Sequence, residues 1–330
     1  MPAHAFLVTR TDDQVTTAVT DLADDDLPPG EVLVDVEWSA VNYKDGMVTV
    51  PGNRVARRSP LVTGVDLAGT VAASDDPAIP AGTAVLVHGY DLGVAHHGGF
   101  ATRARVPAGW VVPLPPGLDP RHAMTIGTAG FTAVLSLRRL ERVGVAPGNG
   151  PVLVTGASGG VGSMAVAALA RHGYEVVAST GKTAEHEYLR RLGAAEVVGR
   201  DAVGGDDRRV LGAERWAAAV DCVGGTTLAG VLRTLRYGGA VAASGLTAGS
   251  DLATTVYPFI VRGVSLLGVD SVNMPLDERR ALWASIAEDL PGEAVDAMVD
   301  REIGLGGLDA ALADVLAGRV RGRVLVRPAG

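Results

Sequence analysis

The chain has 330 residues, enough for two domains with a sizeable core. Its 37 acidic and 29 basic residues leave a net charge of −8, which repels phosphate backbones and excludes nucleic acid as the main partner. The single cysteine, Cys222, can neither close an internal disulfide nor build a thiolate zinc site. The first ten residues lack the basic and apolar segments of a secretion signal, and no run of about 18 apolar residues occurs. The expectation is a soluble cytoplasmic protein with no membrane partner.

The first third reads as β-structure. Residues 31–38 alternate, with Val32, Val34, Val36 and Trp38 on one face, after the punctuation of Pro28, Pro29 and Gly30. Short apolar runs at 66–71, 83–88 and 101–106 are separated by turns such as Pro80-Ala81-Gly82 and Gly98-Gly99. Closely spaced strands of this kind predict a small barrel or sandwich. Near Pro120 the character changes, and 121–142 has helical spacing.

A strand–helix alternation follows. Strands are predicted at 152–155, 175–180, 196–199, 217–223, 240–244 and 264–269, with helices at 160–172, 184–192, 203–211, 226–235 and 257–262. This predicts a parallel sheet covered on both faces, a doubly wound nucleotide-binding domain of the α/β class. After Asp270 the alternation stops. Residues 277–290 and 308–317 read as helices and 323–326 as a last strand, in a tail returning to the first domain. The expected division is 1–123 with 274–330, and 124–273.

The strongest local signal is the run from Val152 to Ala165, in which an apolar strand meets glycines at 156, 159, 160 and 162 and then a helix. Glycines let the backbone turn tightly and approach a pyrophosphate, and the helix start offers free N–H groups. Ser158, Gly159, Gly160 and Val161 are the candidate phosphate contacts. The second strand ends in Ser179-Thr180-Gly181-Lys182, with no carboxylate for a ribose 2′-OH. Lys182 and two hydroxyls suit a 2′-phosphate, which predicts NADPH over NADH. Arg200, after the third strand, is either a further member of this pocket or a solvated charge.

Several segments carry a resemblance. Gly64-Val65-Asp66-Leu67-Ala68-Gly69, Gly98-Gly99-Phe100-Ala101 and the glycine turn resemble the medium-chain dehydrogenase/reductase superfamily. Val41-Asn42-Tyr43-Lys44-Asp45, Ser179-Thr180-Gly181-Lys182, Glu185-His186-Glu187-Tyr188-Leu189, Pro258-Phe259-Ile260 and Gly268-Val269-Asp270-Ser271 narrow it to the zinc-free acrylyl-CoA reductase and quinone-oxidoreductase-like branch. The resemblance implies a GroES-like β-rich catalytic domain beside a Rossmann domain. It implies cofactor contacts from Tyr43, Leu246, Ile260 and Ser271, and a homodimer along the edge strand at 264–269. Zinc-dependent members carry Cys where this chain has Asn42 and His-Glu where it has Val65-Asp66, so no metal is expected. His88, His96 and His97 read as loop residues.

Without a metal to polarise a carbonyl, a conjugated C=C is the better hydride acceptor, and placed donors stabilise the enolate oxygen. Tyr43 is the candidate catalytic hydroxyl, with a packed aromatic as the plain alternative. Asn42 and Asp45 are expected to brace the turn, with Asn42 and Asp66 candidates for substrate contact. Arg57, with Arg54 and Arg58, either grips coenzyme A phosphates or forms a solvated basic loop. Cys222 reads as a buried small hydrophobe. The expected reaction is NADPH-dependent reduction of a short enoyl-CoA, acryloyl-CoA first. A quinone or enone reductase and a non-catalytic NADPH-binding protein are the alternatives.

Overall fold

The computed structural model describes residues 3–11, 14–203 and 209–330. In chain order the first strands are β1 (Ala3–Arg10), β2 (Val15–Leu22), β3 (Val32–Ala40), β4 (Leu61–Val62), β5 (Asp66–Ser74), β6 (Ala84–His88), β7 (Arg103–Val106) and β8 (Val112–Pro113). The later ones are β9 (Val152–Val154), β10 (Val176–Ser179), β11 (Glu196–Val198), β12 (Trp216–Asp221), β13 (Leu235–Ala243), β14 (Ser265–Gly268), β15 (Val299–Ile303) and β16 (Arg323–Val326). The helices are α1 (Tyr43–Val48), α2 (Pro120–Arg142), α3 (Gly160–Arg171), α4 (His186–Arg191) and α5 (Gly225–Thr234). They continue with α6 (Tyr257–Arg262), α7 (Leu276–Asp289), α8 (Gly292–Asp296) and α9 (Leu308–Leu316).

Two units result. The first holds Met1–Thr128, Val272–Ala287 and Val295–Gly330, and the second Ala129–Ser271 and Glu288–Ala294. Residues 288–294 join the second because buried Asp289 accepts bonds from Arg138 at 2.7 Å and His172 at 2.6 Å.

In the first unit the main sheet runs β15-β16-β3-β5-β6-β8, and β7 pairs with β3. Val32, Val34 and Val36 face a core with Leu67, Val71, Val85 and Val87. Trp38 does not follow them. The register shifts between Val36 and Trp38 against β5, and the extra residue leaves Trp38 half-buried. A smaller sheet, β2-β1-β4, lies beside the strands that the sequence predicts. Its inner face packs Phe6, Val8 and Leu61 against Phe100, Leu308 and Leu312. The tail returns as expected, with β16 pairing antiparallel to the end of β3.

In the second unit one parallel sheet runs β11-β10-β9-β12-β13-β14. Numbered from β9, that order is the doubly wound arrangement, with its switch point beside β9. β9, β10 and β12 are buried along their whole length, which is why they read as continuous apolar runs. The helix expected at 203–211 falls partly outside the described residues; Arg200–Ala202 form a 3₁₀ turn and 209–211 are bends. The helix expected at 226–235 ends at Thr234, since β13 already starts at Leu235.

Candidate functional site

In the second unit, β9 delivers the chain to Gly156, whose φ of 60° lies in the left-handed region. A Cβ on Gly162 would stand 2.6 Å from the Cα of Ala157, so the first turn of α3 lies directly against the glycine loop. Gly159 is the N-cap of α3, and Gly160, Val161 and Gly162 open it. Helix-start N–H groups lack intrahelical acceptors, and these stand where an anion can be taken up.

The end of β10 is tied to the same loop. Ala157 N donates to Ser179 O at 3.0 Å, and the Ser158 and Thr180 hydroxyls lie 3.0 Å apart. The Thr180 hydroxyl also accepts the N–H of Lys182 at 3.1 Å. Ser158, Ser179 and Thr180 are buried. A Cβ on Gly181 would meet Arg200 Nε at 2.6 Å, so the exposed Arg200 side chain lies over this glycine. The sequence-derived set Ser158, Ser179, Thr180, Gly181, Lys182 and Arg200 therefore forms one cluster with two cations. A loop that excludes side chains and ends in hydroxyls and cations fits a phosphorylated dinucleotide.

The remaining expected cofactor residues lie in different settings. Leu246 is 48% exposed, and Ile260 is 71% exposed on α6 near Val256, Tyr257 and Val261, which are exposed too. Ser271 is buried and accepts a bond from the Thr132 hydroxyl at 2.9 Å. Cys222 is half-buried at the end of β12, and burial pushes its thiol up, away from nucleophilic thiolate. Its neighbour Asp221 is buried and holds the Thr155 hydroxyl at 2.6 Å and Gly224 N at 2.7 Å.

In the first unit, Tyr43 opens α1 and is half-buried. Asp45 braces this turn as expected. Its Oδ2 accepts Asn42 N at 2.8 Å, and its Oδ1 accepts Gly64 N at 3.1 Å and Val65 N at 2.9 Å. Burial raises its carboxyl to about 7, against its backbone donors and with a like-charge push from Asp66.

Asn42 and Asp66, expected at the substrate, spend their polar atoms inside the protein. Asn42 Nδ2 donates to Asp66 Oδ2 at 2.7 Å, and its Oδ1 accepts Arg323 Nη1 at 3.0 Å. Asp66 accepts the N–H of Thr128 at 3.0 Å, its hydroxyl at 2.5 Å and Arg323 Nη2 at 3.3 Å. Arg323 donates further to Val41 O at 3.3 Å and Thr125 O at 3.1 Å. Burial pulls its guanidinium down from its ordinary value, and Asp66 and Asp45 oppose that. Nothing in the local sequence marks Arg323 as buried, because a cation opening a strand usually reads as surface.

In the basic loop Arg54, Arg57 and Arg58 are exposed, and Arg57 pairs with Asp91. His88 departs from the loop expectation. It ends β6 in the core; its Nε2 accepts Trp283 Nε1 at 2.9 Å, and its main-chain carbonyl accepts Arg279 Nη1 at 2.8 Å. Burial holds its ring well below its ordinary value. His97 accepts Val62 N at 3.1 Å and is lowered to about 4 by burial and by Arg58. Among the described residues no group of three or more His, Cys, Asp or Glu is placed to hold a metal ion. No described helix is long and apolar enough to cross a membrane.

Acrylyl-CoA reductase AcuI of Ruegeria pomeroyi is 49% identical over 325 residues, covering 98% of each chain. Putative quinone oxidoreductase YhfP of Bacillus subtilis is 47% identical over 324 residues, again covering 98% of each. The chain belongs to the medium-chain dehydrogenase/reductase superfamily, in its zinc-free branch. Residues 28–116 match the alcohol dehydrogenase GroES-like domain, and 160–288 match the zinc-binding dehydrogenase family. A crystal structure of Escherichia coli K-12 YhdH with bound NADPH matches at a TM-score of 0.95 and 45% identity, covering 98% of this chain and 99% of that one. Bacillus subtilis YhfP with NAD bound also matches at 0.95, with 46% identity over 99% of each chain. The superfamily's nucleotide-binding half is the doubly wound unit, and its GroES-like half is the unit that carries Tyr43.

Proposed function

We propose that this chain is an NADPH-dependent reductase of activated C=C bonds, acting on a short enoyl-CoA with acryloyl-CoA first. The observation that carries the reading is full-length 49% identity to acrylyl-CoA reductase AcuI, with the cationic Ser179–Arg200 cluster intact. NADPH supplies hydride to the β-carbon. The start of α3 would hold the pyrophosphate, while Lys182 and Arg200, with the Ser179 and Thr180 hydroxyls, would hold the 2′-phosphate. Tyr43 Oη donates a hydrogen bond to the thioester oxygen as negative charge develops there, or passes its proton to the α-carbon. Asn42, Asp45 and Asp66 hold the turn from which Tyr43 projects. The pairing of Asn42 and Asp66 with Arg323 leaves activation of the acceptor to hydrogen-bond donors.

A quinone acceptor is the second reading, favoured by the 47% identity to YhfP. The protein is also proposed to act in the cytoplasm as a homodimer. β14 is a sheet edge with alternate residues exposed, Leu266 among them, and α6, which precedes it in the chain, exposes Tyr257, Ile260 and Val261, with its cap residue Val256 exposed as well.

The test is cofactor oxidation with a panel of acryloyl-CoA, crotonyl-CoA and quinones, run with NADPH and NADH in parallel. Turnover of acryloyl-CoA with NADPH supports the reading. Quinone turnover alone establishes the second, and tight NADPH binding without turnover of any acceptor makes the chain a binding protein. Tyr43→Phe lowers kcat on acryloyl-CoA by about tenfold or more, in line with loss of a positioned proton donor.

A further inference from the structure

Arg323 is 2% exposed, and its guanidinium is directed by four acceptors from three parts of the first unit. Nη1 carries bonds to Val41 O and Asn42 Oδ1, which belong to the two residues just before Tyr43. Nη2 reaches Asp66 Oδ2, the oxygen that also holds the other end of the Asn42 amide. The Asn42 amide is therefore clamped at both ends by a pair that is itself closed by an ion pair. Main-chain pairing repeats the theme, since Val41 N donates to Val324 O at 2.9 Å.

A buried ion pair is a weak source of stability, because desolvation cancels most of the attraction and an apolar pair of equal volume does as well. What a guanidinium provides and an apolar side chain does not is a planar fork with donors in fixed directions. Here the fork is spent on the N-terminal boundary of the helix that begins with Tyr43.

We infer that Arg323 is a positioning residue for Tyr43, fixing the start of α1 through Val41, Asn42 and Asp66 so that the phenol is presented in one orientation. The inference rests on Tyr43 acting as the hydroxyl donor of the proposed reductase. A phenol is a long lever, so a small rotation of the turn displaces Oη far more than it displaces the backbone. Misplacement of a reacting group by about 1 Å lowers turnover by about a hundredfold.

Arg323→Lys keeps the charge and loses the fork. It lowers kcat on acryloyl-CoA about tenfold or more while the KM for NADPH stays within about twofold. In a Tyr43→Phe background the same substitution lowers kcat by less than about twofold, because the two changes remove one contribution. Independently of activity, 3-fluorotyrosine incorporation gives a ¹⁹F line for residue 43, assigned by its loss in Tyr43→Phe. That line shifts or broadens in Arg323→Lys.

Additive losses in the double variant, or an unchanged ¹⁹F line, overturn the inference. Should Arg323→Lys fail to fold by circular dichroism, Asn42→Ser keeps a capping residue, drops the clamped amide and carries the same expectations. If the wild-type protein reduces no acceptor, the reductase reading fails, and the ¹⁹F line still decides whether Arg323 orients Tyr43.

Discussion

The carboxylate of Asp66 lies where a side chain on Gly127 would stand, with Oδ2 2.6 Å from the position a Cβ would take. Helix α2 breaks at this glycine, which adopts φ 50° and ψ −158°, and Thr128 restarts it with its N–H and hydroxyl on Asp66. Asp66 therefore acts as an N-cap supplied from a strand. Gly127→Ala meets Asp66 and Arg323 together and forces a β-carbon onto a left-handed residue. It lowers unfolding free energy by about 2–4 kcal/mol. Urea denaturation of the full chain checks this, and an unchanged midpoint would show that the kink tolerates a side chain.

Lys182 and Arg200 carry the positive charge beside the β10 terminus. Lys182→Ala and Arg200→Ala each reduce the preference for NADPH over NADH by about tenfold, the size of one lost charge-assisted phosphate contact. The change resides in the KM for NADPH, while kcat and the KM for NADH hold. Steady-state rates with both cofactors decide it. Equal losses with NADPH and NADH would place the two cations away from the 2′-phosphate.

Asp45 supplies a pH dependence of known sign. Its folded-state value of about 7 lies above the ordinary 3.8, so between those limits the folded chain binds the proton more tightly than the unfolded chain does. The stabilisation is fully present below about pH 4 and is lost as pH rises through 7. Asp45→Asn removes this dependence. The stability difference between variant and wild type therefore changes in the variant's favour on going from pH 4 to pH 8, by an amount on the order of a few kcal/mol. Denaturant melts across that range test it; parallel curves for the two proteins would mean that Asp45 is ionised throughout.

The edge of the second unit's sheet bears on assembly. With β14 at the sheet edge among the described residues and Leu266, Ile260 and Val261 exposed, the proposed dimer predicts twice the chain mass by light scattering at micromolar concentration. Ile260→Asp combined with Leu266→Lys reduces it to the mass of one chain. A wild-type monomer would remove the edge from any interface.

What the sequence made legible follows from the range of the interactions involved. β9, its glycine turn and α3 were readable because a buried parallel strand and a phosphate loop each impose a local pattern. β16 was placed at its observed bounds, 323–326, by its apolar run. β2 carries no mark in the sequence because every residue of its Val-Thr-Thr-Ala-Val-Thr-Asp-Leu run is half-buried or exposed, and a two-residue strand such as β4 has no periodicity to read. The kink at Gly127 was hidden inside good helical spacing, since its cause, Asp66, lies 61 positions earlier. Arg279 and Arg323 carry no local mark of burial; only the tertiary structure brings His88, Tyr90 and Val272 to the first, and Asp66 and Asn42 to the second.

The atoms crowding Gly162 are all main-chain atoms of Gly156 and Ala157. Such neighbours cannot rotate aside, so a side chain at this position would have to push apart the main chain of the loop itself. On the proposed reading, drift at this glycine registers as misfolding of the nucleotide-binding unit, whereas drift at Lys182 registers as a change of coenzyme.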